Sequence, residues 1–230
     1  MIRYKSDIPE DAVGRIVSPY REEDGRVAYE KHEYRLDGEV LGYRHFDADG
    51  ALMIETPFRD GRKHGTEYSW YEPGCLTLAA PYENGLPHGT ARQWADDGTL
   101  MGTYTLVRGS GYDIWRQKLG DDPLHVAEIH SMKDGVPHGF EWWVNEDEKS
   151  VWHEIHWKEG RRHGVERMWD DGKLEDGCPK FHIEDEIVSK ADYIVRREAD
   201  PTLPPYDPKD DDCRRAFPED VIAAIEAGRA

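Results

Sequence analysis

The chain has 230 residues, with 30 lysines and arginines against 48 aspartates and glutamates, which gives a formal net charge of -18. This length allows one or two domains, and a mean hydropathy of -0.86 argues against a thick globular core. The negative charge argues against nucleic acid or an anionic lipid surface as the main partner, because like charges repel at long range.

Aromatic side chains are abundant, with 8 Trp and 12 Tyr. Disordered chains are poor in such residues, so the composition predicts short strands that each hold one or two large side chains. The N-terminal stretch MIRYKSDIPEDAV lacks an apolar run, and no apolar run reaches the length that spans a membrane. Cys75, Cys178 and Cys213 form no CxxC pair. Free thiols fit a reducing compartment, so we predict a cytoplasmic protein.

Residues 1–32 are predicted to form an N-terminal strand or hairpin cap. Asp24 and Gly25 lie between two strand-like runs within SPYREEDGRVAYEKHEYRL. An Asp-Gly pair suits a tight turn. The segment therefore reads as a degenerate first hairpin.

A six-residue phrase recurs downstream, as DGRKHG (60–65), NGLPHG (84–89), DGVPHG (134–139) and EGRRHG (159–164). DGEVLG (37–42) is a variant with leucine in place of histidine, and RGSG (108–111) is a shortened copy. The glycines that end the six phrases follow one another at intervals of 22 to 28 residues, and the longest interval contains an insertion at DDPL (121–124). These glycines are Gly42, Gly65, Gly89, Gly111, Gly139 and Gly164.

Other positions keep the same period, which is the signature of a repeat architecture. An aromatic residue follows the phrase glycine by four or five positions, at Phe46, Trp70, Trp94, Trp115, Trp143 and Trp169. A second glycine follows by eight or nine positions, at Gly50, Gly74, Gly98, Gly120 and Gly172. A bulky apolar residue precedes the phrase, at Phe58, Tyr82, Leu106, Met132 and Trp157.

One unit shows the physical logic of the repeat. TARQW (90–94) has the length of a typical strand, DDG (96–98) suits a tight turn, and LMGTYTLV (100–107) suits the return strand. Each unit is then a β-hairpin of about 23 residues. No helical periodicity is present from about 30 to 183. Consecutive hairpins predict an antiparallel meander.

These phrases, with Trp70, Trp94 and Trp169 downstream, resemble the MORN (membrane occupation and recognition nexus) repeat in its bacterial variant form, over roughly residues 33–178. The resemblance implies one hairpin per repeat and an elongated, curved, groove-shaped sheet lined by aromatics. Some bacterial proteins of this kind are labelled antitoxins or are encoded beside toxins. Eukaryotic members were first connected with membranes and lipids, and many serve as scaffolds. The units at Gly42, Gly111 and Gly139 depart from the pattern.

The four phrase histidines invite a metal hypothesis, which strand geometry opposes. Each repeat adds two strands, so equivalent residues lie roughly 10 Å apart, whereas zinc requires nitrogens about 2.0–2.1 Å from one ion. We predict instead that each imidazole braces a turn, with ligand contact as the remaining alternative, and we predict no metal and no cofactor. These residues are His64, His88, His138 and His163. His153 and His156 are three apart, so a strand places them on opposite faces.

No nucleotide-binding or nucleophile motif occurs, since GxGxxG, GxxxxGK[ST] and GxSxG are absent. The acidic stretch YDPKDDDC (206–213) lies in a proline-rich connector and is interpreted as a linker with solvated charges. The chain is therefore predicted not to be an enzyme.

Residues 179–230 are predicted to form a C-terminal strand and two short helices. FHIEDEIV (181–188) has a strand pattern, and SKADYIVRREAD (189–200) begins with Ser189 and Asp192 at the spacing of a helix cap. FPEDVIAAIEAGRA (217–230) is the second helix, with Pro218 in its first turn and an apolar stripe of Val221, Ile222 and Ile225. These helices either cover the last hairpins or dock on a partner.

The sequence thus predicts a mainly β protein, an elongated antiparallel meander of about six hairpin repeats (33–178) with a short C-terminal helical cap. We expect a non-enzymatic protein-interaction module or scaffold. Its partner would be a basic protein, and the MORN resemblance suggests an antitoxin or immunity-type role. Association with a membrane or lipid headgroup is the alternative, and self-association through sheet edges remains open.

Two sets of residues follow from this hypothesis. The candidate partner-binding aromatics are Tyr68, Trp70, Tyr82, Trp94, Trp115, Trp143, Trp157 and Trp169. The structural turn residues are Gly65, Gly89, Gly139 and Gly164 with His64, His88, His138 and His163.

Overall fold

The computed structural model describes residues 4–21, 27–120 and 122–229. Within these residues, strands dominate, successive strands pair antiparallel, and both α-helices come after the last strand. The predicted fold class, a mainly β meander with C-terminal helices, is thereby confirmed. The chain divides into two compact units, and the second begins at Gly109.

The first unit consists of ten strands. They are β1 (Val13–Arg21), β2 (Val27–Leu36), β3 (Glu39–Asp47), β4 (Leu52–Arg59), β5 (Arg62–Lys63), β6 (Gly65–Glu72), β7 (Cys75–Glu83), β8 (Leu86–Pro87), β9 (Gly89–Trp94) and β10 (Leu100–Val107). The last two coincide with the hairpin predicted from TARQW and LMGTYTLV.

The second unit contains the remaining strands and the helices. The strands are β11 (Ser110–Gln117), β12 (His125–Lys133), β13 (Val136–Val144), β14 (Val151–Lys158), β15 (Arg161–Arg162), β16 (Gly164–Asp170), β17 (Lys173–Leu174), β18 (Lys180–Ile183) and β19 (Glu186–Val188). The helices are α1 (Lys190–Ala199) and α2 (Glu219–Ala227), with a 3-10 turn at Pro208–Asp211 between them.

The recurring phrase forms the same tight turn each time. In the six phrase turns, and in a seventh outside the phrases, the first residue has φ between 49 and 51° and the second has φ between 71 and 92°. Left-handed backbone at both positions defines the type I′ turn, whose twist matches that of a β-hairpin. These turns are Asp37-Gly38, Asp60-Gly61, Asn84-Gly85, Arg108-Gly109, Asp134-Gly135, Glu159-Gly160 and Glu184-Asp185. The last of them divides 181–188, so the single strand predicted there is wrong and the segment is a hairpin.

The N-terminal region follows the hairpin prediction and adds a short strap. β1 and β2 pair antiparallel, from Val13 opposite Arg35 to Arg21 opposite Val27. The predicted turn at 24–25 lies outside the described residues. Ahead of β1, Ile8 is buried and the Tyr4 hydroxyl donates to the Glu55 carboxylate at 2.8 Å. This strap covers one face of the first unit.

The C-terminal helices cover one face of the second unit. α1 begins as predicted, because the Ser189 hydroxyl accepts a hydrogen bond from the Asp192 N–H. In α2, Val221 and Ile225 are buried, but Ile222 is 46% exposed, so the predicted apolar stripe is wrong at that residue. Buried positions four residues apart face one side of a helix, and Ile222 lies at the edge of that side.

The acidic connector between the helices is bound to the sheet. The Arg167 guanidinium donates to Asp211 at 2.9 Å, the Tyr206 hydroxyl donates to the same carboxylate at 2.7 Å, and the Trp169 indole donates to the Asp211 carbonyl. The interpretation of 206–213 as a linker with solvated charges is therefore wrong at Asp211. Tyr206 of this connector packs against a buried apolar cluster, which consists of Val165, Phe181, Tyr193 and Leu203.

Candidate functional site

The four phrase histidines hydrogen-bond to the next turn of the array. Each Nδ1 accepts from the backbone N–H of the residue that opens the following turn, 20 or 21 residues later. The pairs are His64 with Asn84 (3.4 Å), His88 with Arg108 (3.0 Å), His138 with Glu159 (3.3 Å) and His163 with Glu184 (3.3 Å). The imidazoles therefore brace turns, as the sequence analysis predicted.

Two repeats without the histidine supply another acceptor. Ser110 replaces it in RGSG, and its hydroxyl accepts from the Asp134 N–H at 3.0 Å. In DGEVLG, the Glu39 carboxylate accepts from the Asp60 N–H at 3.3 Å. An acceptor at this place is thus the common requirement, and the side chain that provides it varies.

The predicted aromatics do not form one row. Residues five positions after the phrase glycine project to the covered face of their own unit. Trp70 lies beneath the N-terminal strap of the first unit, and Trp169 lies beneath the C-terminal connector of the second unit. Within the second unit, Trp115 and Trp143, which come four positions after the glycine, project to the face opposite that of Trp169. Strand side chains alternate between faces, so a shift of one residue moves a ring to the other side of the sheet.

On the covered faces the rings pack internally. In the first unit, Tyr68 is buried, and the Tyr4 ring meets Tyr68 and Trp70 edge-on at 5.1 and 5.0 Å. Trp94 is half-buried and lies on the Tyr68 face of that unit. In the second unit, Trp169 is 4% exposed, and the Arg215 guanidinium carbon lies 4.8 Å above its ring centroid.

The remaining predicted aromatics are accessible to differing degrees. Tyr82 is half-buried, with the Lys63 ammonium 4.6 Å from its ring centroid. Trp143 and Trp157 are half-buried, and Trp115 is 36% exposed. The last three lie on the face of the second unit away from the helices, which we call the uncovered face and define by Asp113, His130, Glu141 and Glu166.

Carboxylates recur at a fixed place in the repeat. Glu67, Asp113, Glu141 and Glu166 each come two residues after a phrase glycine. In the first unit, Glu67 is bound by Thr56 and Lys63 at 2.8 and 2.7 Å. The sequence analysis missed these residues, although the same alignment on the glycine contains the signal.

In the second unit, one imidazole lies among two of these carboxylates and a further one, Glu128. His130 is directly opposite Asp113 on one side and Glu141 on the other. Its ring nitrogens lie 2.9 Å from Glu128 and 3.3 Å from Glu141. Burial lowers the pKa of His130, but the hydrogen bonds to Glu141 and Glu128 outweigh it and hold that pKa above its ordinary value. The cluster therefore favours a protonated imidazole.

A second imidazole–carboxylate group follows along the sheet. The two oxygens of Glu166 lie 3.1 Å from His153 and 2.7 Å from His182. The hydrogen bonds from His153 and His182 hold the pKa of Glu166 well below its usual range despite burial. Trp143 stacks on His153 with ring centroids 4.4 Å apart, so the two groups are contiguous.

His153 and His156 project to opposite faces, as predicted. His156 meets the Phe140 ring at 4.7 Å and its Nδ1 donates to the His163 carbonyl at 2.6 Å, on the side of the covered face. Across residues 4–21, 27–120 and 122–229, no group of three or more His, Cys, Asp or Glu side chains has the arrangement of a metal site.

A buried polar network lies on the covered face of the second unit and was not predicted. Glu154 is 4% exposed and accepts hydrogen bonds from Arg167 at 2.8 Å, Arg215 at 2.6 Å and the Trp142 indole at 2.8 Å. Arg215 lies 61 residues from Glu154. No local pattern marks such a pair, which fixes the C-terminal connector to the sheet.

Comparison with models of protein families finds no match for this chain, and comparison with curated proteins finds no similar sequence. The MORN resemblance therefore stays a prediction that rests on the repeated turns and aromatics. Within the part of the chain that the structure describes, no helix combines the length and the apolar character needed to cross a membrane.

Proposed function

We propose that this chain is a non-catalytic binding protein that recognises a basic protein with the uncovered face of its second unit. The observation that supports this most directly is the recurrence of a carboxylate once per hairpin on that face, at Asp113, Glu141 and Glu166. Glu141 and Glu166 are each 7% exposed, and the accessible carboxylate beside them is Glu128, whose side chain is 40% exposed. A surface with an excess of one charge sign favours a partner of the opposite sign, chiefly by steering encounter and setting orientation.

Accessible indoles accompany the carboxylates. Trp115 is 36% exposed and Trp152 is 42% exposed. The ring centroid of Trp152 lies 5.8 Å from that of the half-buried Trp143. Tryptophan is enriched at the energetic centres of protein interfaces because it gives a large contact area with few rotatable bonds. Indoles beside carboxylates suit a partner that presents basic side chains on an apolar surface.

The two faces have different roles in this proposal. The covered face is occupied by the chain's own C-terminal segment. The Tyr112 hydroxyl donates to Asp220 of α2 at 2.6 Å, and the Trp142 ring lies 5.4 Å from the ring of Phe217, just ahead of α2. The uncovered face is left for the partner. The MORN resemblance narrows the proposal further, to a stoichiometric binder of the antitoxin or immunity type.

The test is capture of proteins from native lysate by the tagged chain, repeated with two charge reversals. Glu128→Lys reverses a charge on the uncovered face, whereas Glu186→Lys reverses an exposed charge in the Glu184-Asp185 hairpin. We expect one basic protein in stoichiometric amount with wild type and Glu186→Lys, and its loss with Glu128→Lys. Equal capture by both variants, or an acidic partner, would contradict the proposal. Flotation of the chain with anionic vesicles would favour the membrane alternative.

A further inference from the structure

Three side chains stand in line across β11, β12 and β13 on the uncovered face. Trp115 is directly opposite Glu128, and Glu128 is directly opposite Trp143. Directly opposed residues project from the same face, and neighbouring strands lie about 4.8 Å apart. The Glu128 carboxylate therefore lies between two indoles whose strands are roughly 10 Å apart.

We propose that Trp115, Glu128 and Trp143 form a seat for one cationic side chain, a lysine or arginine, of a basic protein. This inference rests on the proposed function, because it names the group of the partner that the uncovered face recognises. Aromatic rings attract a cation within about 6 Å of the ring centroid. A cation held over Glu128 lies roughly 5 Å from each flanking strand, within reach of both indoles.

The seat is accessible and partly rigid. Trp115 is 36% exposed and the Glu128 side chain is 40% exposed, so a cation can approach from solvent. Trp143 is fixed between two imidazoles, stacked on His153 at 4.4 Å and edge-on to His130 at 5.9 Å. A ring already held in place loses little conformational entropy when a ligand binds.

Local charge favours a cation in either protonation state of His130. Two carboxylates, those of Glu128 and Glu141, contact this one imidazole. A protonated His130 neutralises only one of them, so a net negative charge remains. The Glu128 carboxylate contacts His130 through Oε2 at 2.9 Å. A carboxylate accepts hydrogen bonds on both oxygens, so Oε1 is the atom we assign to the incoming cation.

The first experiment uses a small probe and needs no knowledge of the partner. Tetramethylammonium chloride is titrated into the full-length ¹⁵N-labelled chain, and the indole N–H signals are followed by NMR with sodium chloride as the ionic-strength control. We expect the signals of Trp115 and Trp143 to shift, with assignments from Trp115→Phe and Trp143→Phe. Absence of a shift, or an equal shift of all indole signals, would overturn the seat.

The second experiment measures affinity for an octalysine peptide by isothermal titration calorimetry. We expect Trp115→Ala to weaken binding about threefold to fivefold and Glu128→Gln about tenfold. Tyr71→Ala, which removes a 66% exposed ring in the first unit, and Glu186→Gln are the matched controls and should change affinity less than twofold. Equal affinities in all variants would mean that net charge alone attracts the peptide.

The outcomes separate the seat from the proposed function. If the wild type captures a basic protein, and the variants Glu128→Gln and Trp115→Ala each capture it equally well, the seat is wrong and the binding role stands. If tetramethylammonium shifts the two indole signals but no protein is captured, the seat exists and the proposed partner class is wrong. Glu128→Gln preserves side-chain shape, so it tests the charge even if Trp115→Ala unfolds.

Discussion

The Nδ1 atom of His88 lies 3.0 Å from the backbone nitrogen of Arg108, which opens the next turn. An N–H donor facing Nδ1 requires that nitrogen to be unprotonated, so the imidazole is the tautomer protonated at Nε2. The bond satisfies a turn N–H that the hairpin ladder does not use. Histidine therefore connects one hairpin to the next, which gives a physical reason for its return in each phrase.

Replacement of His88 by asparagine or by glutamine distinguishes the contribution of Nδ1 to stability from that of Nε2. Asparagine places an acceptor near the position of Nδ1, whereas glutamine places polar atoms near Nε2, which lies 3.6 Å from Glu83. We expect His88→Gln and His88→Ala to lower the free energy of unfolding by about 1 kcal/mol, the typical net value of one hydrogen bond. His88→Asn should retain most of the stability.

Urea unfolding of the three variants measures this prediction. The midpoint should fall for His88→Gln and His88→Ala at an unchanged m-value, since the folded surface is the same. A loss in His88→Asn as large as that in His88→Ala would show that ring packing, and not the Nδ1 acceptor, stabilises the turn.

His163 makes the same contact in a buried setting, which predicts a pH dependence. It is 1% exposed, and burial with the nearby Lys158 lowers its pKa. The unfolded chain then binds a proton more readily than the folded chain. The contribution of His163 to stability is complete above the unfolded pKa of about 6.5 and declines as the pH falls through that value.

His163→Asn keeps the acceptor for the Glu184 N–H and does not titrate. The difference in unfolding free energy between wild type and this variant should therefore shrink from about pH 7.5 to about pH 5.5. His130 titrates in both proteins with an opposite effect, so it cancels in the comparison. A difference that is constant with pH would exclude His163 as the titrating group.

The repeat made much of this fold predictable. The turn phrase reports a backbone requirement, because the type I′ turn needs two left-handed residues, and Asn-Gly or Asp-Gly supplies them. The spacing between phrases then fixes the strand lengths, as at 90–94 and 100–107. The same logic was available at Glu184-Asp185, but neither residue is glycine, so that turn was read as strand.

Contacts between residues far apart in the sequence are not marked by any comparable sequence pattern. The bonds from Arg167 and Arg215 to Glu154 and Asp211 span 13 to 61 residues, and the residues themselves look like ordinary surface charges. The candidate aromatics were grouped in one set because spacings of four and five residues were treated as equivalent. A period of two makes them opposite faces.

Glu159 and Asn84 occupy the same position of equivalent turns. Exchanging the two residue types should therefore change the free energy of unfolding in opposite directions. Both have φ of 51°, a conformation that asparagine adopts with less strain than glutamate. We expect Glu159→Asn to raise the free energy of unfolding by about 0.5–1 kcal/mol, and Asn84→Glu to lower it by a similar amount. Opposite shifts in the urea midpoint would support backbone strain in the turn as the cause of the stability change. Shifts of the same sign in both variants would contradict it.

Asp211→Asn tests the attachment of the C-terminal connector. The substitution removes a charge that accepts hydrogen bonds from Arg167 and Tyr206 and leaves the Arg167 guanidinium partly unpaired, at a cost of about 1–3 kcal/mol. Amide hydrogen exchange should become faster across 201–216. Asp212→Asn, whose carboxylate caps only the Arg214 N–H, is the adjacent control and should leave exchange there nearly unchanged. Equal protection in both variants would contradict the role given to Asp211.

Gly109→Ala should be far more destabilising than Gly98→Ala, although both glycines have left-handed backbone with φ of 74 and 77°. A Cβ at Gly98 would meet no atom within 4 Å, so only backbone strain of about 1 kcal/mol is expected there. A Cβ at Gly109 would lie 2.2 Å from the Gly135 nitrogen, which donates to the Gly109 carbonyl at 3.0 Å. Backbone cannot yield as a flexible side chain does, so successive turns must separate. We expect a loss above about 3 kcal/mol by urea unfolding, and equal losses at the two positions would show that the turns are not stacked this closely.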